Sequence, residues 1–416
     1  MTRDGSTRRR YLTLTGAIAT GGLLAGCSEN AGSNATEAAT DTATDTPEST
    51  ATATETTEAD DETTTDQSTT DGSYTVEMAP MGEVTFESVP ESIFTRLTHE
   101  AGMAFALGRG DDVNAMHAPD YYDSLWNQFT PRLPGVELDW TGLYSSWNPS
   151  KEKLYELDSD VHLADPAGID ALDGWDRSDV EEIATGVSPW FGNYYSYANA
   201  EVPGEWEQEY EYYDLWELFR RTAQVFQEGE RYEALKAVYD DIVTQVQSDL
   251  PSETERTTAT MALLSDLDDI WMYKVNATGY AAAHTRPCQA IEAFGDDVDS
   301  GANVDMEALL EADPDVLFAL GGMHPGTDMA GIRQSLEDHS VGSALSAVQN
   351  DRVHAQGARF QGPIVNLFQI EMTAKQLYPD RFGEWPTYVE GPYPEIPAEE
   401  QLFDRQRVAD IINGDF

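Results

Sequence analysis

The sequence is poor in positive charge and cysteine, and it has no apolar run long enough to cross a membrane. Its 416 residues contain 24 Lys+Arg against 76 Asp+Glu, a formal net charge of −52, and only 2 Cys. With so few basic residues there is no positive stripe to meet phosphates, which argues against nucleic-acid binding. Because the sequence around Cys27 predicts that this cysteine carries a lipid, Cys288 has no partner for an intrachain disulfide.

The acidic residues are spread along the whole chain. Repulsion among them would strain a compact fold in dilute buffer, whereas molar salt shortens the Debye length to about 3 Å and screens it. The even distribution therefore favours a halophilic protein. The alternative, a surface for a basic partner, predicts one local acidic block.

The N-terminus has the features of an export signal. The run Thr7 to Leu12, with three consecutive arginines, resembles a twin-arginine signal, and Tyr11 to Gly26 is apolar but shorter than the ~20 residues of a membrane-spanning helix. Leu24-Ala25-Gly26-Cys27 resembles a lipoprotein box. We predict that residues 1–26 are a twin-arginine lipoprotein signal peptide and that Cys27 carries the lipid. The lipid is then the only membrane attachment, on the outer face of the cytoplasmic membrane.

Residues 27–73 are rich in Thr, Ala, Asp, Glu and Ser and contain almost no large apolar residue. Such a segment cannot bury enough surface to offset the entropy lost on ordering. We predict a disordered tether between the lipid and the folded part.

Beyond the tether, short apolar runs alternate with helical patterns, which indicates α/β units with mainly parallel sheets. One helical tract, 215–250, separates two such series, and Gly229 near its middle could break it in two. In the first series we predict strands over Val113 to Met116 and Val161 to Ala164 and a last strand at Pro189-Trp190-Phe191. In the second we predict a strand over Val316 to Leu320 and helices over Thr285 to Phe294 and Pro363 to Leu377. The resulting division is an N-terminal α/β lobe (74–205), an interlobe helix (206–255), a C-terminal α/β lobe (256–385) and a C-terminal extension (386–416) whose apolar residues could form a short helix.

Local phrases in both series carry a family resemblance. Ala106-Leu107-Gly108 followed by Asp111-Asp112-Val113, and Asp313-Pro314-Asp315-Val316-Leu317 in the second series, are similar to the iron-siderophore and cobalamin class of ABC transporter solute-binding proteins. With its export signal, the chain resembles a haloarchaeal-type lipoprotein of this class. The resemblance implies a class III periplasmic-binding-protein-like fold, α/β, with two Rossmann-like lobes joined by a long interlobe helix.

The same resemblance implies a function. We expect a monomeric, extracellular, lipid-anchored binding protein that captures a ferric siderophore or similar metal chelate and delivers it to an ABC permease and its ATPase. Two alternatives stay open: a cobalamin, corrinoid or haem binding protein of the same class, and a surface receptor that uses the fold without transport.

Ligands of open α/β sheets bind beyond the carboxyl ends of the strands. In the loops at those ends, aromatic side chains would hold a bulky ring-bearing ligand, and arginines would grip an anionic one. We predict a solvent-facing gap between the lobes, lined by Arg96, His99, Tyr144, Trp147, Trp190, Tyr194, Tyr195, Trp271, Tyr273, Tyr280, His284, Arg286, Arg359 and Phe360. The competing readings are ion pairs for single arginines and core positions for some rings, including one of Trp271 and Tyr273.

The sequence contains no complete enzyme or metal-binding motif of the common kinds. His99-Glu100-Ala101-Gly102-Met103 lacks the second histidine of a zinc-protease helix, and no G-x-S-x-G elbow occurs. Nothing in the spacing of His99, His284 and His324 enforces convergence on a metal. We therefore predict no catalytic residue, no metal site and no cofactor.

Overall fold

The structure is a computed structural model that describes residues 72–296 and 298–416. The predicted signal peptide, the lipidation site Cys27 and nearly all of the predicted tether lie outside the described residues. None of the described helices combines the length and the apolar character that crossing a membrane requires.

The first lobe is preceded by an antiparallel hairpin, β1 (Tyr74–Met78) and β2 (Gly82–Phe86), that the sequence analysis did not predict. The lobe itself is a parallel sheet in the order β5-β4-β3-β6, flanked by helices. A predicted last strand around Trp190 is only an isolated bridge to His162. The elements are β3 (Ile93–Thr95), α1 (Thr98–Ala106), β4 (Val113–Met116), α2 (Pro119–Trp126), β5 (Tyr144–Ser145), α3 (Lys151–Leu157), β6 (Val161–Leu163), α4 (Pro166–Asp170) and α5 (Arg177–Gly186).

The predicted helical tract is two helices, α6 (Leu215–Val225) and α7 (Gly229–Ser248). Between them Gln227 has a left-handed φ of 54°, which a continuous helix cannot accommodate. The ring centroids of Trp216 and Tyr239 are 4.4 Å apart, so the two helices pack on each other as a hairpin. The predicted fold class is confirmed, but the single helix expected for the connection is a helical hairpin.

The second lobe is a mixed sheet in the order β10-β8-β7-β11-β12, with β9 also paired to β7. Strand β8 runs antiparallel to both of its neighbours, while β7, β9, β11 and β12 are parallel. The elements are β7 (Thr258–Leu263), β8 (Ile270–Tyr273), β9 (Ile291–Glu292), β10 (Asn303–Val304), α8 (Met306–Ala312), β11 (Val316–Ala319), α9 (Met329–Asp338), α10 (Ser346–Gln349), β12 (Val353–Ala355) and α11 (Pro363–Leu377).

The helix predicted over Thr285 to Phe294 is wrong. The segment is a short 3-10 turn at Arg286–Cys288 followed by strand β9. Gln289 adopts a left-handed φ of 48°, which ends the turn, and the Ile291 amide then donates to the Thr257 carbonyl at the sheet edge. Turn geometry and sheet pairing override the helical pattern here.

Helix α11 is buried along its whole length. Its polar residues are therefore paired inside the protein: Trp216 Nε1 donates to Asn366, and Gln369 donates to Gln361. Beyond α11 lie α12 (Pro379–Phe382), which precedes the extension, and α13 (Arg405–Asn413), near the end of the extension. The short helix predicted for the extension is confirmed.

Candidate ligand site at the lobe boundary

The carboxyl ends of the first-lobe strands carry three large polar or aromatic side chains. Arg96 follows β3, His117 follows β4 and Trp147 follows β5. Because these strands are parallel, the three residues lie at one edge of the sheet. In the second lobe His324 follows β11 and Arg359 follows β12, so the ligand-binding edges of both sheets contribute to the lobe boundary.

Arg96 is held between aromatic rings. Its guanidinium carbon lies 5.0 Å from the Trp147 ring centroid and 5.9 Å from that of Tyr194. Its Nε donates to the Trp147 carbonyl at 3.3 Å and its Nη1 to the Gly168 carbonyl at 3.2 Å. Burial lowers the pKa of Arg96. Among the described residues, no carboxylate oxygen lies within 4.0 Å of its side-chain nitrogens.

Arg359 occupies the corresponding place on the second lobe. Its guanidinium carbon lies 3.8 Å from the Tyr273 ring centroid, and burial lowers its pKa while the nearby hydroxyls of Tyr273, Tyr197 and Tyr194 oppose that shift. No ion pair to a described carboxylate involves Arg359 either. Tyr194 therefore lies near both arginines. We call Arg96, Trp147, Tyr194, Tyr273 and Arg359 the rim of the boundary.

Next to the rim, the lobes touch directly. His99 stacks on Tyr280 with ring centroids 4.5 Å apart, and Tyr280 lies 6.1 Å from Phe360. A Cβ atom on Gly102 would lie 2.8 Å from the Gly362 Cα, so the two backbones are in contact. We call His99, Gly102, Tyr280, Phe360 and Gly362 the floor of the boundary.

The floor corrects the prediction of an open, ring-lined gap. Tyr280 is 0% exposed, and His99 and Phe360 are also buried, because removing their apolar surface from water stabilises the contact by about 25 cal/mol per Å². Burial lowers the pKa of His99 to about 3, so its ring is neutral. These residues close the boundary, whereas Trp147, Tyr194 and Arg359 of the rim keep partly exposed side chains beside the buried Arg96 and Tyr273.

The sequence matches the family model described as "Periplasmic binding protein" over residues 102–359. The chain belongs to the periplasmic binding protein family. The matched region includes parts of both lobes and all of the rim except Arg96, which lies just before it. Phe360 of the floor lies just after it. No curated protein matches the chain significantly.

Of three solved structures to which the chain is similar, the first supports the fold. A periplasmic binding protein from Veillonella parvula is 14% identical, with a TM-score of 0.52, covering 74% of this chain and 92% of that chain. The ABC-type Fe3+-hydroxamate transport system of Saccharomonospora viridis is 21% identical (TM-score 0.49; 73% and 98% covered). The periplasmic vitamin B12 binding protein of Vibrio cholerae is 17% identical (TM-score 0.45; 69% and 96% covered). At these identities the likeness concerns the fold alone.

Three of the predicted first-lobe residues belong to the interior of this binding protein rather than to the rim. Trp190 is 3% exposed in the hydrophobic core, and its Nε1 donates to the Val180 carbonyl. Tyr144 and Tyr195 pack against the same core. Tyr144 begins β5, Trp190 forms only an isolated bridge to His162 and Tyr195 begins a 3-10 turn, so no common strand position sets the direction of these rings.

In the second lobe, predicted residues also separate into two groups. Tyr273 faces Arg359, whereas Trp271 is half-buried on β8, beside the edge strand β10. Arg286 donates to the carbonyls of Ala277 and Gly279 and so holds its own loop. His284 is buried, with its Nδ1 2.6 Å from Gln361 Nε2, and burial lowers its pKa to about 3. The roles predicted for all these residues in ligand binding stay predictions.

Sequence reasoning missed three residues of the boundary. The ring of His117 lies 4.6 Å from that of Trp147, and the ring of Tyr121 stacks on His324 of the other lobe at 3.9 Å. Asp165, after β6, accepts hydrogen bonds from the Tyr194 amide and the Tyr210 hydroxyl and so positions Tyr194. The signal was available for His117 and Asp165, since both follow predicted strands.

The site offers flat rings and two cations. Across the described part of the chain, no group of three or more His, Cys, Asp or Glu side chains is arranged to hold a metal ion. The rim can therefore stack against a ring system and neutralise negative charge on it. Its chemistry suits the capture of such a ligand.

Proposed function

We propose that this protein is an exported, lipid-anchored solute-binding protein of an ABC importer, which captures an anionic metal chelate such as a ferric siderophore and delivers it to the permease. One observation carries the choice of ligand: Arg96 and Arg359, from opposite lobes, both lie near Tyr194, and neither has an ion pair among the described residues.

The charge of the whole chain makes that observation informative. With a net charge of −52 the chain offers many acids, and several arginines elsewhere pair with one: Arg177 is 3.0 Å from Glu209, and Arg109 is 2.8 Å from Asp112. Others, such as Arg286, donate to backbone carbonyls instead. A buried or half-buried arginine left without a carboxylate is costly unless another anion reaches it. A chelate bearing carboxylate or catecholate oxygens would supply that anion through charge-assisted hydrogen bonds.

The aromatic rings around Tyr194, from the rim and next to it, support a second candidate of the same kind. The rings of Tyr194 and Phe360 are nearly parallel, with 17° between their planes, and Trp147 and Tyr197 are half-buried beside them. Such ring faces would also stack against a corrinoid or a haem. The charge of the ligand separates the anionic chelate from cobalamin, which bears no carboxylate; haem, whose propionates are anionic, is tested as a separate probe.

The proposed route to the membrane is supported by the sequence alone. The arginines at 8–10 and the box ending at Cys27 belong to the export and anchoring part of the proposal. The even acidity supports work in a high-salt medium, so binding should be measured at molar salt.

The test is a titration of the full chain followed by tryptophan fluorescence. Probes are a ferric tricatecholate chelate, which is anionic, together with cobalamin and haemin. We expect Arg359→Gln to weaken binding of the anionic chelate about 10- to 100-fold, the cost of losing charge-assisted hydrogen bonds, while leaving cobalamin binding nearly unchanged.

Arg381→Gln is the matched control, because Arg381 is half-exposed and pairs only with Asp249, at 3.7 Å. It should bind every probe like the wild type. Two results would contradict the proposal: no binding of the anionic chelate by the wild type at micromolar concentration, or equal binding by wild type and Arg359→Gln.

A further inference from the structure

The C-terminal extension, residues 386–416, contacts both lobes, and we call it the strap. It lies outside the region matched by the family model, which ends at residue 359. Its first anchor is on the second lobe: Arg333 donates to the Tyr388 carbonyl at 2.9 Å, and the Tyr388 hydroxyl, which donates to the Gly391 carbonyl of the strap at 2.7 Å, also lies 3.4 Å from the Met323 carbonyl. Met323 directly precedes His324, which stacks on Tyr121 of the first lobe.

The middle of the strap is fixed to the first lobe through the backbone of Tyr393. Its amide donates to the Gln128 carbonyl at 2.7 Å, and its carbonyl accepts from Arg132 Nε at 2.6 Å. Arg132 also pairs with Glu395, at 3.3 Å. The strap thus makes backbone bonds to the lobe opposite its first anchor.

The side chain of Tyr393 is inserted between the lobes. The ring is fully buried, 5.8 Å from Phe129 of the first lobe and 4.9 Å from Phe368 of α11. Its hydroxyl donates to Glu371 at 2.7 Å. Tyr393 therefore bonds to the first lobe through its backbone and to α11 through its side chain.

A buried charge pair holds the rest of the strap. Glu371 accepts from Arg405 and from the Leu402 amide inside the protein, and the Arg405 guanidinium lies 3.7 Å from the Phe403 ring centroid. Helix α13 then packs on α7. Breaking a buried pair of this kind leaves an uncompensated charge, so this end of the strap stays attached.

We propose that the strap sets the spacing of the two lobes and so keeps Arg96 and Arg359 near the same ring. A swing of one lobe away from the other would break the bonds of Tyr393 to Gln128 and Arg132, or withdraw its ring from beside Phe129. The consequence for ligand capture rests on the proposed function; the mechanical role does not.

The test is hydrogen–deuterium exchange of the full chain without ligand, comparing wild type with Arg132→Met/Tyr393→Leu. Amides of α1 and of the segment 357–362, which meet at the floor, should exchange at least about tenfold faster in the variant. Amides of strand β11, inside the second lobe, should be unchanged and report that the fold is intact.

Arg407→Met is the control within the strap, since Arg407 is half-exposed and pairs only with Asp241 of α7, at 3.8 Å. It should exchange like the wild type. If the double variant does not fold, Arg132→Met alone gives the reading, with a smaller acceleration expected. Unchanged exchange at the floor in a folded variant, or equal acceleration in β11, would contradict the proposal that the strap sets the spacing of the lobes. Because no ligand is present, either result leaves the proposed function to its own titration.

Discussion

The floor and the rim of the lobe boundary contain similar aromatic residues in different roles. In the floor, His99, Tyr280 and Phe360 are buried in ring contacts, and glycines bring the backbones together. In the rim, similar rings surround two arginines that have no described carboxylate partner. The difference teaches that rings alone do not single out a candidate site, whereas rings around an arginine that has no ion pair with a described carboxylate do.

The floor can be broken with a single methyl group. Gly102→Ala would place a Cβ 2.8 Å from the Gly362 Cα, and backbone atoms cannot yield as a side-chain end can. Overpacking of this kind costs typically 1–3 kcal/mol, and because backbone opposes the methyl we expect about 3 kcal/mol of stability to be lost. The measurement is the free energy of unfolding in denaturant.

Gly229→Ala is the matched control, since no atom lies within 4 Å of the position a Cβ would take there. It begins α7 and should be neutral or slightly stabilised, because alanine favours helix more than glycine does. Equal stability of Gly102→Ala and Gly229→Ala would mean that the floor is not close-packed.

The expectation that the floor carries no charge can be tested through Glu100, which lies beneath it and is 5% exposed. Its Oε2 accepts from the amides of Arg96 and Leu97, at 3.0 and 2.8 Å. Burial raises the pKa of Glu100 to about 8, partly opposed by those hydrogen bonds and by the Arg96 charge. The carboxyl is therefore protonated in the folded state at pH values where it is ionised in the unfolded chain.

A raised carboxyl pKa contributes stability that is complete below about pH 4.5 and is lost as pH rises to about 8. Glu100→Gln keeps an oxygen for the two amides and has no proton to lose. We expect its stability relative to wild type to increase by about 5 kcal/mol across that range, since the pKa is raised from 4.5 to about 8 and each unit of pKa difference is worth about 1.4 kcal/mol. Thermal melts of both proteins at several pH values provide the measurement; a constant difference would contradict the raised pKa.

Much of the fold could be predicted from the sequence because its signals are local. Buried apolar runs located β4 at residues 113–116 and β11 within residues 316–320, and the apolar pattern with Pro363 located α11. The hairpin β1–β2 was missed because its alternation is short, and Thr285 to Phe294 was misjudged because pairing with distant Thr257 decides its structure.

The site was less predictable, because strand ends give position but not direction. Trp147 lies in a loop predicted to precede a helix and Trp190 in a predicted strand, yet Trp147 contacts Arg96 and Trp190 enters the core. Which rings meet depends on Gly102 and Gly362 permitting backbone contact between residues far apart in the chain. No local pattern records such a contact, so an open gap was expected where a closed floor lies.

The smallest expected effect separates the two tryptophans of the first lobe. Trp147 is half-buried beside Arg96, while Trp190 packs in the core. Under the proposed function, Trp147→Phe should remove most of the fluorescence change on adding the ferric chelate, with little change in melting temperature. Trp190→Phe should keep that change but lose about 1 kcal/mol of stability, since it shrinks a core side chain and removes a donor to Val180. A chelate signal that follows Trp190 instead would place the ligand away from the rim, because a ring sealed in the core responds only to a rearrangement of the lobe itself.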